Sequence, residues 1–106
     1  MNINGILLRS GGSLAYLKVE EGRSLIYGRR DLGSLGDENT ISKEQLTLTI
    51  SEGQVWIFDG NAADNRPSHN GTWVNGKKVA YSPIRAGDQL RFGKLTCQVV
   101  GAVVDF

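Results

Sequence analysis

A hydrophobic period of two constrains this chain more than any other feature. In Q-L-T-L-T-I, residues 45 to 50, Leu46, Leu48 and Ile50 fall on one face and Thr47 and Thr49 on the other, the alternation of a strand buried on one side. Short runs of the same kind recur: S-L-A-Y-L-K-V (13 to 19), R-S-L-I-Y (23 to 27), Q-V-W-I-F (54 to 58), Q-L-R-F (89 to 92) and L-T-C-Q-V-V (95 to 100), with I-L-L at 6 to 8 opening the series. They are rich in β-branched and aromatic residues and are bounded by Gly, Asp or Asn, which favour turns over ladders. No segment carries a helical period, so no helix is expected. Fourteen glycines punctuate the runs, and many short strands at this spacing predict an antiparallel sandwich or barrel rather than a parallel α/β sheet. The aromatic residues sit at strand positions, where core packing is their expected role.

A chain of 106 residues, 40% hydrophobic and 22% charged, has the size and composition of one globular domain. Its formal net charge of +1 argues against a domain that tracks a nucleic-acid backbone, so any anion site has to be local. The N-terminus lacks the basic start and apolar run of a secretory signal, and no stretch approaches the length of a spanning helix. A cytoplasmic location follows as the expectation, with Met1 suggesting the N-terminal part of a longer protein and a monomer as the default. Cys97, the single cysteine, has no internal disulfide partner and alternates with Leu95 and Val99, which predicts a buried structural thiol. With one cysteine and one histidine, no metal set is expected and no cofactor is called for.

Two long segments fit no strand, residues 28 to 40 and 59 to 71. Ordering such loops costs conformational entropy, so their persistence in a small domain directs the search for function to them. The second ends in S-H-N-G-T-W-V-N-G, 68 to 76, with two Asn-Gly dipeptides. Asn75-Gly76 lies between T-W-V and K-K-V and predicts a two-residue hairpin with positive φ at both residues. Asn70-Gly71 follows Pro67, Ser68 and His69 and reads as loop, with Gly71 taking a positive-φ corner. The residues alone leave Asn70 two roles: an Asx-turn to its own backbone, or an exposed amide offering donor and acceptor to a peptide.

Four elements occur in order: G-R at 28 and 29, I-S-K-E-Q at 41 to 45, S-H-N-G-T-W-V-N-G at 68 to 76, and I-R-A-G-D-Q-L-R-F-G at 84 to 93. Together they resemble the forkhead-associated (FHA) domain. The resemblance implies an eleven-stranded antiparallel β-sandwich of the FHA/SMAD type, whose loops at one end bind phosphothreonine peptides. A phosphothreonine carries about −1.5 to −2 charges and three acceptor oxygens near neutral pH, which calls for a guanidinium, a hydroxyl and N–H donors. By resemblance Arg29 supplies the fork, Ser42 a hydroxyl, Lys43 a point charge, Asn70 a grip on the peptide main chain, and His69 a wall of the groove. Gly28, Gln45, Gly71, Thr72, Asn75 and Gly76 fall at positions that support the loops, and Arg30 reads as solvated.

Two departures from the family pattern stand out. The family histidine of Ser-x-x-His is Gln45, whose amide can still make bracing hydrogen bonds. The stretch from 59 to 67 is longer than the usual connection and is expected to reshape one wall of the groove. These departures motivate a rival reading, a scaffold or oligomerisation sandwich that recognises unphosphorylated protein. Catalysis is not expected: adjacent Ser68 and His69 diverge in a loop, and no G-x-S-x-G elbow is present. Nucleic-acid binding through Arg29, Arg30, Lys77 and Lys78 lacks net charge behind it.

Overall fold

The alternation predicted from sequence becomes the two inner faces of a sandwich. The computed structural model describes residues 2 to 36 and 38 to 105. Among them are ten strands: β1 (Asn2–Ser10), β2 (Ser13–Lys18), β3 (Leu25–Tyr27), β4 (Leu46–Ser51), β5 (Gln54–Asp59), β6 (Thr72–Val74), β7 (Lys77–Lys78), β8 (Tyr81–Ile84), β9 (Gln89–Phe92) and β10 (Leu95–Asp105). They form a six-stranded sheet, ordered β2-β1-β10-β9-β6-β7, and a four-stranded sheet, ordered β3-β4-β5-β8. Every strand pair is antiparallel. Ile6 and Leu8, Leu90 and Phe92, and Leu95, Cys97 and Val99 fill the core from one sheet, and Leu46, Leu48, Val55 and Ile57 from the other. Burying each large apolar side chain stabilises the fold by roughly 1.5–3 kcal/mol.

Parity sends most of the aromatics outward, against the expectation of core packing. Phe92 is the one aromatic residue of the buried core among those described, with Tyr27 packed partly against it. On β5, Val55 and Ile57 take the inner positions, so Trp56 and Phe58 project from the opposite face. There Tyr81 packs with both, at centroid separations of 6.4 and 5.7 Å. Thr47 departs from its expected place in the other sense, being 1% exposed. Its hydroxyl donates to the Gly60 carbonyl at 2.8 Å and accepts from the Ala62 N–H at 3.1 Å, because the long loop after β5 folds over it.

Three features lie outside the sequence pattern. β1 and β10 run well beyond I-L-L and L-T-C-Q-V-V and pair along most of their length, with register shifts between Ile3 and Gly5 and between Leu7 and Leu8. β8 contains Pro83, which argues against a strand by sequence; it is tolerated because β8 is an edge of its sheet. The expected loop at 28 to 40 holds one turn of α-helix, α1 (Arg29–Leu32), and two 3₁₀ turns, Gly33–Leu35 and Glu38–Thr40. Leu32, Leu35 and the following Ile41 are buried, so this segment is pinned into the core rather than loose.

Strand register brings the long loops to one end of the sandwich. In the smaller sheet the end of β3, the start of β4 and the end of β5 lie side by side, Tyr27 opposite Leu46 and Leu46 opposite Asp59. In the larger sheet the same happens at the start of β6, the end of β9 and the start of β10, through Thr72, Phe92 and Leu95.

Candidate functional site

The first loop starts where backbone meets backbone. A Cβ on Gly28 would lie 1.8 Å from the Lys43 carbonyl oxygen, so only glycine lets the 28 to 35 segment close against residues 42 and 43. Gly28 donates its N–H to the Asp31 carboxylate at 3.0 Å, and the Asp31 and Leu32 N–H groups donate to the Gly28 carbonyl at 2.9 Å. The Arg29 N–H donates to the Ser42 carbonyl at 2.9 Å. Its Nε donates to the Ile41 carbonyl at 3.0 Å while the side chain stays exposed. One edge of the guanidinium is thereby fixed.

Gln45 joins the 41 to 45 segment to the loop before β6. It is fully buried, its Oε1 accepts the Ser42 N–H at 3.0 Å, and its Nε2 donates to the Gly71 carbonyl at 2.9 Å and to Thr72 Oγ1 at 3.1 Å. The amide thus makes the bracing bonds expected of it. Thr72 in turn donates to Asp59 Oδ1 at 2.7 Å, as does the Ser68 hydroxyl at 2.6 Å, and Ser68 Oγ accepts the Gly71 N–H at 2.9 Å. Asp59, at the end of β5, therefore organises the loop before β6. Sequence reading passed over it because its partners lie 9 and 13 residues away.

The two Asn-Gly dipeptides separate as predicted. Asn75 and Gly76 take φ of 50° and 84° in the turn between β6 and β7. Asn75 also ties that turn to β9: its Oδ1 accepts the Gln89 N–H at 2.9 Å and its Nδ2 donates to Asp88 at 3.0 Å. Gly71 takes φ of 88°. The exposed Asn70 amide makes no Asx-turn; its Nδ2 reaches across to the Thr40 carbonyl at 2.9 Å. The Thr40 hydroxyl accepts the Lys94 N–H at 2.9 Å, which links the first loop to the β9–β10 turn as well.

The extended loop from 59 to 67 is closed on itself. Asn61 and Arg66 exchange backbone hydrogen bonds of 2.8 and 3.0 Å. The Asn61 side chain, nearly buried, donates to Glu44 Oε2 at 2.9 Å and to Asp64 Oδ2 at 3.2 Å. Arg66 Nη2 pairs with Glu44 at 2.9 Å and Asp64 at 3.0 Å. This cluster places Arg66 and Pro67 on the wall of the groove. Glu44 and Arg66 were not legible as site residues, since their pairing spans two loops.

An open groove of about 570 Å³ runs between these loops. Arg29, Ser42, Lys43, His69 and Asn70, the five residues singled out from sequence, all line it. Ser42 is 7% exposed, and its Oγ accepts the His69 N–H at 2.9 Å, which leaves its proton to donate into the groove. Arg29, Lys43, His69 and Asn70 are exposed. Arg30 faces a neighbouring cleft with Ser34 and Lys43, and Lys78 lies on β7 with its ammonium 5.7 Å from the Trp73 ring. Among the described residues no group of His, Cys, Asp and Glu could hold a metal ion, and no helix is long and apolar enough to cross a membrane.

A family model for the FHA domain matches residues 22–93. Among solved structures, one from a structural and functional study of phosphothreonine-dependent FHA domain interactions is 25% identical, with a TM-score of 0.67 over 94% of this chain and 99% of that one. The FhaA FHA domain complexed with the intracellular domain of Rv3910 is 27% identical, with a TM-score of 0.66 over 89% and 98%. The FHA domain of CT664 from Chlamydia trachomatis shares the fold at 22% identity, with a TM-score of 0.63 over 96% and 98%. No curated protein sequence matches.

Proposed function

Because the chain belongs to the FHA domain family, we propose that it is a phosphothreonine-dependent interaction module of a signalling or regulatory assembly, a binder without catalytic activity. The observation that carries this reading is the convergence of Arg29, Ser42, Lys43, His69 and Asn70, from separate loops, on one open groove. The study of phosphothreonine-dependent interactions in a relative of the same fold supports it.

In this reading the phosphate sits between Arg29 and Ser42. With Nε engaged by the Ile41 carbonyl, Arg29 presents its terminal nitrogens to two phosphate oxygens, a geometry that a planar guanidinium supplies and an ammonium does not. Ser42 donates its hydroxyl to a third oxygen, and Lys43 adds a mobile positive charge. Each charge-assisted bond contributes roughly 1.5–3 kcal/mol before the costs of association. Asn70, its Nδ2 held by the Thr40 carbonyl, accepts a peptide N–H through its carbonyl oxygen. Gln45 and Asp59 touch no ligand; they hold the loops at the separation the peptide needs.

Calorimetry with a phosphothreonine peptide and its unphosphorylated twin tests this. The expected result is binding of the first alone, lost in Arg29→Ala with the melting temperature nearly unchanged. Equal affinity for both peptides would favour the scaffold reading instead. Affinity also falls as the pH drops through about 6, where the phosphate dianion takes up a proton and loses its second charge; a flat profile contradicts a dianion-selective pocket.

A further inference from the structure

The two ends of the groove differ in charge. Beyond Asn70 it opens onto a surface lined by Arg91, Gly93, Lys94 and Thr96, and Arg91 continues it to Trp73. The Arg91 guanidinium carbon lies 3.8 Å from the Trp73 ring centroid, with the Lys78 ammonium at 5.7 Å. Stacking on an indole holds a guanidinium in one place while leaving its N–H edge open to a carboxylate. Among the described residues no carboxylate pairs with Arg91, Lys78 or Lys94. At the opposite wall two carboxylates, Glu44 from the 41 to 45 segment and Asp64 from the 59 to 67 loop, meet the single guanidinium of Arg66, one negative charge in excess, and of the two it is Glu44 that lines the groove. Arg66 is already engaged by both, so this wall offers acceptors rather than a free cation.

Resting on the phosphothreonine reading above, we propose that the domain selects phosphopeptides whose two flanks carry opposite charge. An acidic side chain, Asp, Glu or a second phosphorylated residue, docks on the stacked Arg91 and on Lys94 at the Asn70 end. A Lys or Arg on the other flank faces Glu44 at the loop wall, with Asp64 adding its charge from behind Arg66. The central phosphate supplies affinity, and the flanking charges supply discrimination. A like-charged flank at either end meets repulsion, which is how rim charges reject wrong partners.

Calorimetry with four synthetic phosphothreonine peptides, basic-then-acidic, acidic-then-basic, acidic on both flanks and neutral on both, tests the proposal. An unphosphorylated neutral control accompanies them. One of the two oppositely charged peptides should bind most tightly, gaining roughly 1.5- to 5-fold per matched flank, as exposed pairs do. Its order of charges then gives the direction in which the peptide lies. Arg91→Gln combined with Lys94→Gln should erase the acidic-flank preference yet bind the neutral phosphopeptide as before, which also shows that the variant is folded. Glu44→Gln combined with Asp64→Asn should erase the basic-flank preference. Equal affinity for all four phosphopeptides, or a preference that survives either variant pair, overturns the proposal while leaving phosphothreonine recognition standing. A neutral phosphopeptide that binds no better than its unphosphorylated control overturns both.

Discussion

Replacing Gln45 with leucine tests how the loops are held. The side chain is fully buried and makes three hydrogen bonds, to the Ser42 N–H, the Gly71 carbonyl and Thr72 Oγ1. Leucine has similar volume but satisfies none of them. Thr72 keeps its bond to Asp59, so the loss falls on two backbone groups. Orphaning each costs about 1–3 kcal/mol, less about 1.5–3 kcal/mol recovered by burying an apolar side chain, for a net loss centred on about 2 kcal/mol. In a domain of this size that lowers the melting temperature by roughly 10–15 °C. Phosphopeptide affinity falls as well, because Ser42 and Asn70 no longer share a frame. Gln45→His, which restores one ring donor and one ring acceptor, recovers most of both losses. Thermal denaturation and calorimetry on the pair of variants give the answer. A Gln45→Leu protein that melts within a few degrees of wild type and binds equally well would refute the assignment of Gln45 as the brace.

Further outcomes follow from single side chains. Gly28→Ala is severely destabilising, by at least about 2 kcal/mol in denaturant titration, because the added carbon meets the Lys43 backbone at 1.8 Å. Gly76→Val has open space around it, so its cost is the backbone strain of φ 84°, about 1–2 kcal/mol, with peptide affinity unchanged. Asn70→Ala shows the reverse pattern in the same two assays, losing affinity while keeping stability. Burial pushes the Cys97 thiol up from 9.0 to about 12, so the folded state keeps a proton that the unfolded state releases. Its contribution to stability is complete below about pH 9 and is lost as pH rises toward about 12, at up to ~1.4 kcal/mol per pH unit. Cys97→Ala flattens that alkaline slope, and alkylation of wild type near neutral pH requires denaturant; a folded protein that reacts freely contradicts the burial. Tyr27, raised first by burial and then by the negative charge of Asp31, titrates late for the same reason and adds to the slope.

The sequence by itself determined the strand faces, the hairpin at Asn75-Gly76 and the small set of residues that line the groove. The first two are local matters, since a period of two selects what can be buried and positive φ selects Asn-Gly; the groove residues came from the ordered resemblance to the FHA pattern. Strand β8 was hidden by Pro83, and the outward aromatics by the habit of reading any aromatic as core, although their parity on β5 was visible beside Val55 and Ile57. Tertiary structure alone decided that Asp59 organises the loop before β6, and that Glu44 and Arg66 form a wall of the groove. It also decided that Asn70 spends its donor on Thr40, and that Arg91 stacks on Trp73. These are contacts between side chains far apart in the chain, made only once the register of both sheets has brought their loops to one end. A hydrogen bond between residues 45 and 71 leaves no periodic trace in either segment. Its cause is the packing of two sheets, which no local window of sequence contains.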